Sequence, residues 1–155
     1  MEENVTSFFR FEDLRVYDKS LQYYNWLISK VQSADEFNRK VIMLPFIDTA
    51  TKICMQIADG SSNPKTEFVE YLKYAKGLVR QCVVFSTMAL DNNVFTQEDM
   101  EKSREMLMEM TKMLGAMIVS FQRSINNRNG NTDNSRQREE RTMEDFSSLD
   151  SEFNY

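Results

Sequence analysis

Apolar side chains recur at alternating steps of three and four residues in four stretches of this chain of 155 residues. This period is typical of helices that pack side by side at shallow angles. The repeating positions are Leu14, Tyr17, Leu21, Tyr24, Ile28 and Val31 in the first stretch; Val41, Leu44, Ile47, Thr51, Cys54 and Ile57 or Ala58 in the second; Phe68, Tyr71, Ala75, Leu78, Cys82, Phe85 and Ala89 in the third; and Met100, Ser103, Leu107, Met110, Leu114, Met117 and Phe121 in the fourth. The pattern predicts an all-α fold, an antiparallel up-down four-helix bundle over residues 11–125 that follows a short extension over residues 1–10.

Turn and capping residues separate these stretches. Gly60 follows the second stretch and suits the left-handed conformation that ends many helices. Asn63 stands before Pro64, so a capping side chain precedes a residue that favours the first helical position. Thr96 and Asp99 have the spacing of a reciprocal helix cap. The segment between the second and third helices lacks the spaced glycines of a phosphate-binding loop, and we interpret it as a bundle corner.

The apolar period stops near Asn126, where Asn, Ser and charged residues take over. Residues 126–155 contain four Arg against seven Asp and Glu, so −3 of the chain's net charge of −5 lies there. This composition predicts a disordered acidic tail. Its apolar residues, interleaved with acids, are candidates for a docking peptide, and the alternative is a solubilising tail. The candidate docking residues are Phe146, Leu149, Phe153 and Tyr155.

The third and fourth helices carry more apolar residues than one core stripe needs. Burying such a side chain is worth about 1.5–3 kcal/mol, so we expect the surplus to be covered by another copy of the chain. The candidate subunit-interface residues are Val83, Val84, Met106, Met113 and Ile118. The alternative is a wide core face in which methionines fill gaps.

The composition leaves little catalytic chemistry. The chain has no His, which removes the commonest general base and metal ligand. Cys54 and Cys82 fall on apolar helix faces, where buried thiols are expected and a disulfide or metal pair is the alternative. The glutamates within residues 98–109 are interpreted as a solvated face. We therefore predict a protein that is not an enzyme and that uses no metal or cofactor.

The ends and hydropathy of the chain bear on its location. The first residues are acidic and lack the apolar region of a secretory signal. No uninterrupted apolar run approaches the ~20 residues of a membrane span. The sequence therefore predicts a cytoplasmic protein with no membrane association.

A row of basic residues follows one side of the third helix. They are Lys65, Lys73, Lys76 and Arg80. A solvated charged face is one interpretation, and a contact surface for an anionic partner is the other. Repeated around an oligomer, the row would form a basic ring with a raised local electrostatic potential.

Three segments resemble a bacterial family of four-helix-bundle proteins. The segments are "FEDLRVYDKS" (11–20), "QIADGSSNPKTEFVEYLKYAKG" (56–77) and "FTQEDMEKSREMLMEMTKMLGAMIVSF" (95–121). Arg80 also stands where one branch carries an arginine. The family comprises proteins encoded in intervening sequences of large-subunit ribosomal RNA genes and the accessory variability determinant proteins of diversity-generating retroelements.

The resemblance implies an all-helical bundle that assembles as a ring, typically a pentamer, with no catalytic activity. In the retroelement branch it implies a basic scaffold that binds a reverse transcriptase and nucleic acid. This chain departs from the pattern at Gln56, Asp59, Gln81 and Met117, and it is acidic. Our leading hypothesis is therefore a homo-oligomeric scaffold for a reverse transcriptase or RNA. The alternative is a protein-interaction module that acts through bundle faces or the tail without nucleic acid.

Overall fold

Four helices dominate the computed structural model, which describes the backbone of residues 8–152 and the side chains through residue 142. They are α1 (Arg15–Lys30), α2 (Glu36–Ser61), α3 (Lys65–Asp91) and α4 (Gln97–Glu152). Single 3-10 turns flank α1 at Arg10–Asp13 and Val31–Ser33. Residues 8–152 contain no strand, which confirms the all-α prediction.

Neighbouring helices run antiparallel. Near the start of α3, the ring centroid of Phe68 lies 5.3 Å from that of Phe121 in α4, whereas near its end Ser86 lies 2.6 Å from Ser103, early in α4. The same reversal appears between α1 and α4, whose ion pairs are Lys19–Glu109 and Lys30–Asp99. The helices pack in the cyclic order α1, α2, α3, α4, so the described chain forms an up-down four-helix bundle.

The predicted stripes of α3 and α4 face the core. Their members are buried or half-buried, including Ser103, the one polar position in the α4 stripe. The stripe predicted for α1 is wrong, because Leu21 and Ile28 are exposed. The buried residues each lie one position before a residue of the predicted stripe. The buried residues of α1 are Val16, Ser20, Tyr23 and Leu27. The two hydroxyls among them find partners inside the protein, so their polarity does not exclude them from the core.

A π-helical turn, Arg39–Met43, interrupts the regular α geometry of α2. The wider turn shifts the helical phase, so Ile42 and Met43 are buried while the predicted seam residues Val41 and Leu44 are exposed. A residue pattern read at a constant period cannot register that shift. Within α2, a window of 18 residues has a mean hydropathy of 1.4, enough by length and composition for a membrane span. Core helices pass the same test, and 44% of this window is buried.

Gly60 lies inside α2 with helical geometry, so the predicted left-handed helix end is wrong. Its role is close approach between helices, because a Cβ there would stand 2.6 Å from Cβ of Tyr71 and 2.7 Å from Cδ2 of Phe68. Asn63 donates its side-chain amide to the Asp59 carbonyl instead of capping α3. The corner between α2 and α3 is therefore fixed by packing and by local hydrogen bonds.

The α4 helix continues past Asn126 to Glu152 without a break. The predicted disorder over residues 126–155 is therefore not confirmed. The segment lacks proline, and nothing in its backbone stops a helix that the bundle has already nucleated. Among the side chains described, Ile125 is the last that packs against the core, and those of residues 126–142 are exposed. Packing over this range therefore ends where the sequence pattern ends.

Candidate interaction surfaces

The reciprocal cap predicted at the start of α4 anchors the seam between α1 and α4. The Asp99 amide donates to Oγ1 of Thr96 and the Thr96 amide donates to Oδ2 of Asp99, both at 3.1 Å. Lys30 pairs with Oδ1 of Asp99 at 2.7 Å. Partial burial opposes ionisation, but these contacts outweigh it and lower the pKa of Asp99 below 3.8. The acidic start of α4 is thus tied to α1 by charge.

A groove of about 450 Å³ runs between α3 and the first half of α4. Arg80, one of the predicted contact residues, reaches it from α3 and Arg104 reaches it from α4. Val83 and Met108 contribute apolar surface, and two glutamates of α4 also line it. Both signs of charge therefore meet in this groove.

The predicted basic residues at the start of α3 already have partners within the chain. Lys65 donates to Oγ of Ser124 at 3.2 Å, and its ammonium lies 5.6 Å above the ring of Phe121. Lys73 pairs with Glu70 one turn earlier, also at 3.2 Å. Pairs between exposed side chains of this kind are worth little, so both ammonium groups can exchange partners at small cost.

Lys76 lies across α4 at Gly115. Its Nζ is 3.9 Å from the position a Cβ on Gly115 would occupy, so the ammonium lies against the surface of α4 at that glycine. Beside it, a shallow depression of about 680 Å³ is lined by Gly115, Ala116, Val119, Ser120, Arg123, Ser124 and Asn127. Small and apolar side chains form this surface, and its only charged lining residue is basic.

The second half of the α3–α4 seam is wholly basic on its α4 side. Residues 110–132 contain no Asp or Glu but include Lys112, Arg123 and Arg128, all exposed. Arg128 lies with Lys65 around a smaller depression of about 170 Å³. We call the following set the basic face: Lys65, Lys73, Lys76, Arg80, Lys112, Arg123 and Arg128. Lys112, Arg123 and Arg128 were not predicted from the sequence. The absence of Asp and Glu over 23 consecutive positions, 110 to 132, could have indicated them.

The predicted subunit-interface residues divide into two groups. Val84 is 54% exposed and points away from the bundle, as the prediction requires. Val83, Met106 and Met113 are partly buried against the core, and Ile118 is 9% exposed within it. For α4, the alternative of a wide core face therefore describes the geometry better than a surplus of exposed apolar groups.

A larger set of exposed apolar side chains lies on the outer side of α2 and α3. In α2, Leu44 and Met55 are three helical turns apart, so they share one side. In α3, Tyr74, Val84 and Met88 share the outward side next to α2. Their exposed fractions are 53%, 56%, 57%, 54% and 44% in chain order. We call these five residues the apolar face. The criterion that selected Val84 would have found Met88 and Tyr74, since both fall outside the core stripe of α3.

Three hydroxyls form a buried hydrogen-bond chain where α1, α3 and α4 meet. Ser86 donates to the carbonyl of Cys82 at 2.8 Å, which leaves its oxygen to accept from Ser103 at 2.6 Å. Ser103 therefore accepts from the hydroxyl of Tyr23 at 2.8 Å. Burial raises the pKa of Tyr23 far above its usual value and keeps this donor protonated. The chain fixes the register of three helices with every hydroxyl satisfied.

Both cysteines are free and buried, as the sequence predicts for structural thiols. Burial is the main cause that raises the pKa of the Cys82 thiol to about 12, and nearby Cys54 adds to it. Burial also raises the pKa of Cys54. Neither thiol is therefore a ready nucleophile or metal ligand at neutral pH.

Within the described residues, no three Cys, Asp or Glu side chains converge into a metal-binding group. The predicted tail-docking residues lie outside the described side chains: Phe146 and Leu149 belong to the α4 backbone, and Phe153 and Tyr155 follow its last described residue. No model of a known protein family matches the sequence, and no curated protein matches it. The family resemblance stays a prediction.

Proposed function

We propose that the chain is a non-enzymatic scaffold that self-associates through the apolar face and presents its remaining surfaces to a partner. The main observation behind this proposal is the apolar face, in which five large side chains on two adjacent helices are about half exposed. Exposed apolar side chains gathered on neighbouring helices are a feature of interaction surfaces. A ring, and a pentamer in particular, is what the family resemblance implies for this assembly.

The proposed partner is a reverse transcriptase, RNA or their complex, as in the retroelement branch of the resembling family. The basic face supports this partner class, because it concentrates cations on a chain whose net charge is −5. Assembly would repeat the face around the oligomer and strengthen its field. Self-association would then use the outer surface of α3 next to α2, and partner binding would use the adjoining surface next to α4.

A pair of substitutions on α3 tests the self-association. Val84→Lys with Met88→Lys places two charges on the apolar face, and we expect this variant to associate more weakly by on the order of 100-fold. The matched control is Thr87→Lys, an exposed position beside Met88 that lies outside the apolar face. Sedimentation velocity over a concentration series measures both. Equal association of the double variant and the control would refute the apolar face as the contact.

The partner class is tested by charge reversal. Lys73→Glu, Lys76→Glu and Arg80→Glu together should abolish RNA retention while leaving the oligomer intact. Retention should also fall steeply as salt rises, because phosphate contacts release counterions. RNA capture that is unaffected by all three reversals would remove the basic face from this role.

The second candidate function, a protein-interaction module without nucleic acid, is favoured by one observation. Lys73 is already paired with the carboxylate of Glu70, which offsets one positive charge of the basic face. In this case, the three reversals would leave partner capture unchanged, and capture would persist at high salt. The same experiment therefore separates the two candidates.

A further inference from the structure

The depression beside Gly115 combines two recognition elements. Ala116 and Val119 supply an apolar surface, and Val119 is 47% exposed there. The ammonium of Lys76 and the guanidinium of Arg123 border it. A segment that fits must therefore carry apolar side chains among negative charges, which is the chemistry of an acidic amphipathic helix.

The last residues of this same chain have that chemistry. Residues 143–155 contain four acids and no basic residue, so the segment carries a net charge of −4. Phe146, Leu149 and Phe153 recur at steps of three and four, so a helix would place them on one side. The sign of charge and the apolar spacing both complement the depression.

The continuity of α4 indicates which copy supplies the segment. The helix runs from the bundle to Glu152 as one element, so residue 143 lies ~25 Å beyond Asn126 at the standard helical rise. A tail held that far out cannot return to its own bundle without breaking the helix. A second copy can meet it: in an antiparallel pairing of two α4 helices centred near Thr132, residues 143–149 of one lie beside residues 115–121 of the other.

We infer that the acidic segment 143–155 docks in trans on the basic face of a second copy, with Phe146 and Leu149 in the depression beside Gly115. The inference rests on the proposed self-association but uses a different surface from the apolar face. It gives the scaffold a built-in competitor, since an anionic partner must displace the tail to reach Lys76, Lys112 and Arg123. Docking of the tail therefore lowers the apparent affinity of the basic face for an anionic partner.

Zero-length cross-linking of the full chain tests the inference. A mixture of 15N-labelled and unlabelled protein is treated with a carbodiimide, which joins carboxylates to lysines in direct contact. We expect cross-links from Asp145 or Asp150 to Lys76, and from Asp150 or Glu152 to Lys112, in pairs of mixed isotope, which only two chains can form. The variant Phe146→Ser with Leu149→Ser keeps every charge, and we expect it to lose these cross-links at least 10-fold.

Three results would overturn the inference: no cross-link from the tail to these lysines, cross-links within single isotopes only, or an equal yield from the serine variant. Sedimentation of the same samples separates this failure from failure of the proposed function. An oligomer that persists without tail cross-links defeats the tail docking alone. If the oligomer persists in Val84→Lys with Met88→Lys but is lost in the serine variant, the apolar face is not the subunit contact and the docked tail is.

Discussion

The side of α3 that packs on α2 and the side that packs on α4 differ in how closely the helices approach and in which residues lie on the outer surface. Toward α2 the backbones approach closely at Gly60, and the outer surface carries Tyr74 and Met88. Toward α4 the outer seam is grooved and charged, with Lys76 lying over Gly115. One helix thus separates an apolar surface suited to self-association from a charged surface suited to a partner. Glycine is required only on the α2 side, because a Cβ at position 60 would overlap Tyr71, whereas a Cβ at position 115 would make an ordinary contact with Lys76.

The largest effect should come from blocking the close approach on the α2 side. Gly60→Ala introduces a Cβ that would stand within 3 Å of Tyr71 and Phe68, so backbone movement is required. Overpacking of this kind costs about 1–3 kcal/mol, and we expect the upper end because Cβ of Tyr71 cannot rotate away. Thermal denaturation should show a fall in Tm of roughly 6–10 °C.

The control for that variant is Gly77→Ala in α3. No atom lies within 4 Å of the added Cβ, so the substitution should stabilise the helix by about 0.5–1 kcal/mol. A Gly60→Ala protein that melts with the wild type would show that α2 and α3 are not packed as described.

The next effect should appear in the buried hydroxyl chain that supports the α4 side. Ser103→Ala removes the acceptor of the Tyr23 hydroxyl and leaves a buried donor unpaired, which should lower the free energy of unfolding by about 2 kcal/mol. Tyr23→Phe removes the donor instead and keeps the ring, so about 1 kcal/mol is expected. Urea denaturation measures both, and the reverse order would contradict the assigned direction of the hydrogen bonds.

A smaller effect on stability is expected from the basic face. Lys76→Glu with Arg80→Glu changes side chains that are at least partly exposed, so the free energy of unfolding should change by less than about 0.5 kcal/mol. Urea denaturation of this variant should coincide with that of the wild type. A loss of several kcal/mol would mean that these cations hold the bundle together, and the contrast between the two sides of α3 would disappear.

A separate effect, which depends on pH, concerns Asp99, the residue that ties α4 to α1. Its pKa lies lower in the folded chain than in the unfolded chain, so ionisation stabilises the fold above the unfolded value of 3.8. That contribution disappears as the pH falls through the folded pKa. Asp99→Asn should therefore cost up to about 1 kcal/mol at pH 7 and progressively less as the pH falls below 3.8. A difference from the wild type that is constant over this pH range would exclude the ion pair as its source.

The sequence predicted the parts of the fold that follow one uninterrupted period. The α3 and α4 stripes, the cap at Thr96 and Asp99 and the number of helices follow from residue spacing alone. The first helix was misjudged because Ser20 and Tyr23 sit in the core, where hydrogen bonds inside the chain replace water. The second helix was misjudged because the π-helical turn changes the phase, and Gly60 because contact between helices is invisible to local patterns.

The candidate surfaces were predicted less completely than the fold. Lys76 and Arg80 were identified as a row on one helix, but their neighbours Lys112 and Arg123 come from another helix 30 to 50 positions later. Spacing along one segment cannot join them without the antiparallel pairing of α3 and α4. Ile118 failed as a surface residue for a related reason, because the width of the α4 core side depends on how closely α3 approaches.

The most direct test of the account is the mass of the full chain in solution. Light scattering coupled to size exclusion, over a range of micromolar concentrations and at low and high salt, reports it without substitution. We predict an oligomer that persists at high salt, because apolar contacts are not weakened by screening. A mass equal to the single chain of 18.3 kDa at every concentration would contradict the scaffold and its apolar contact.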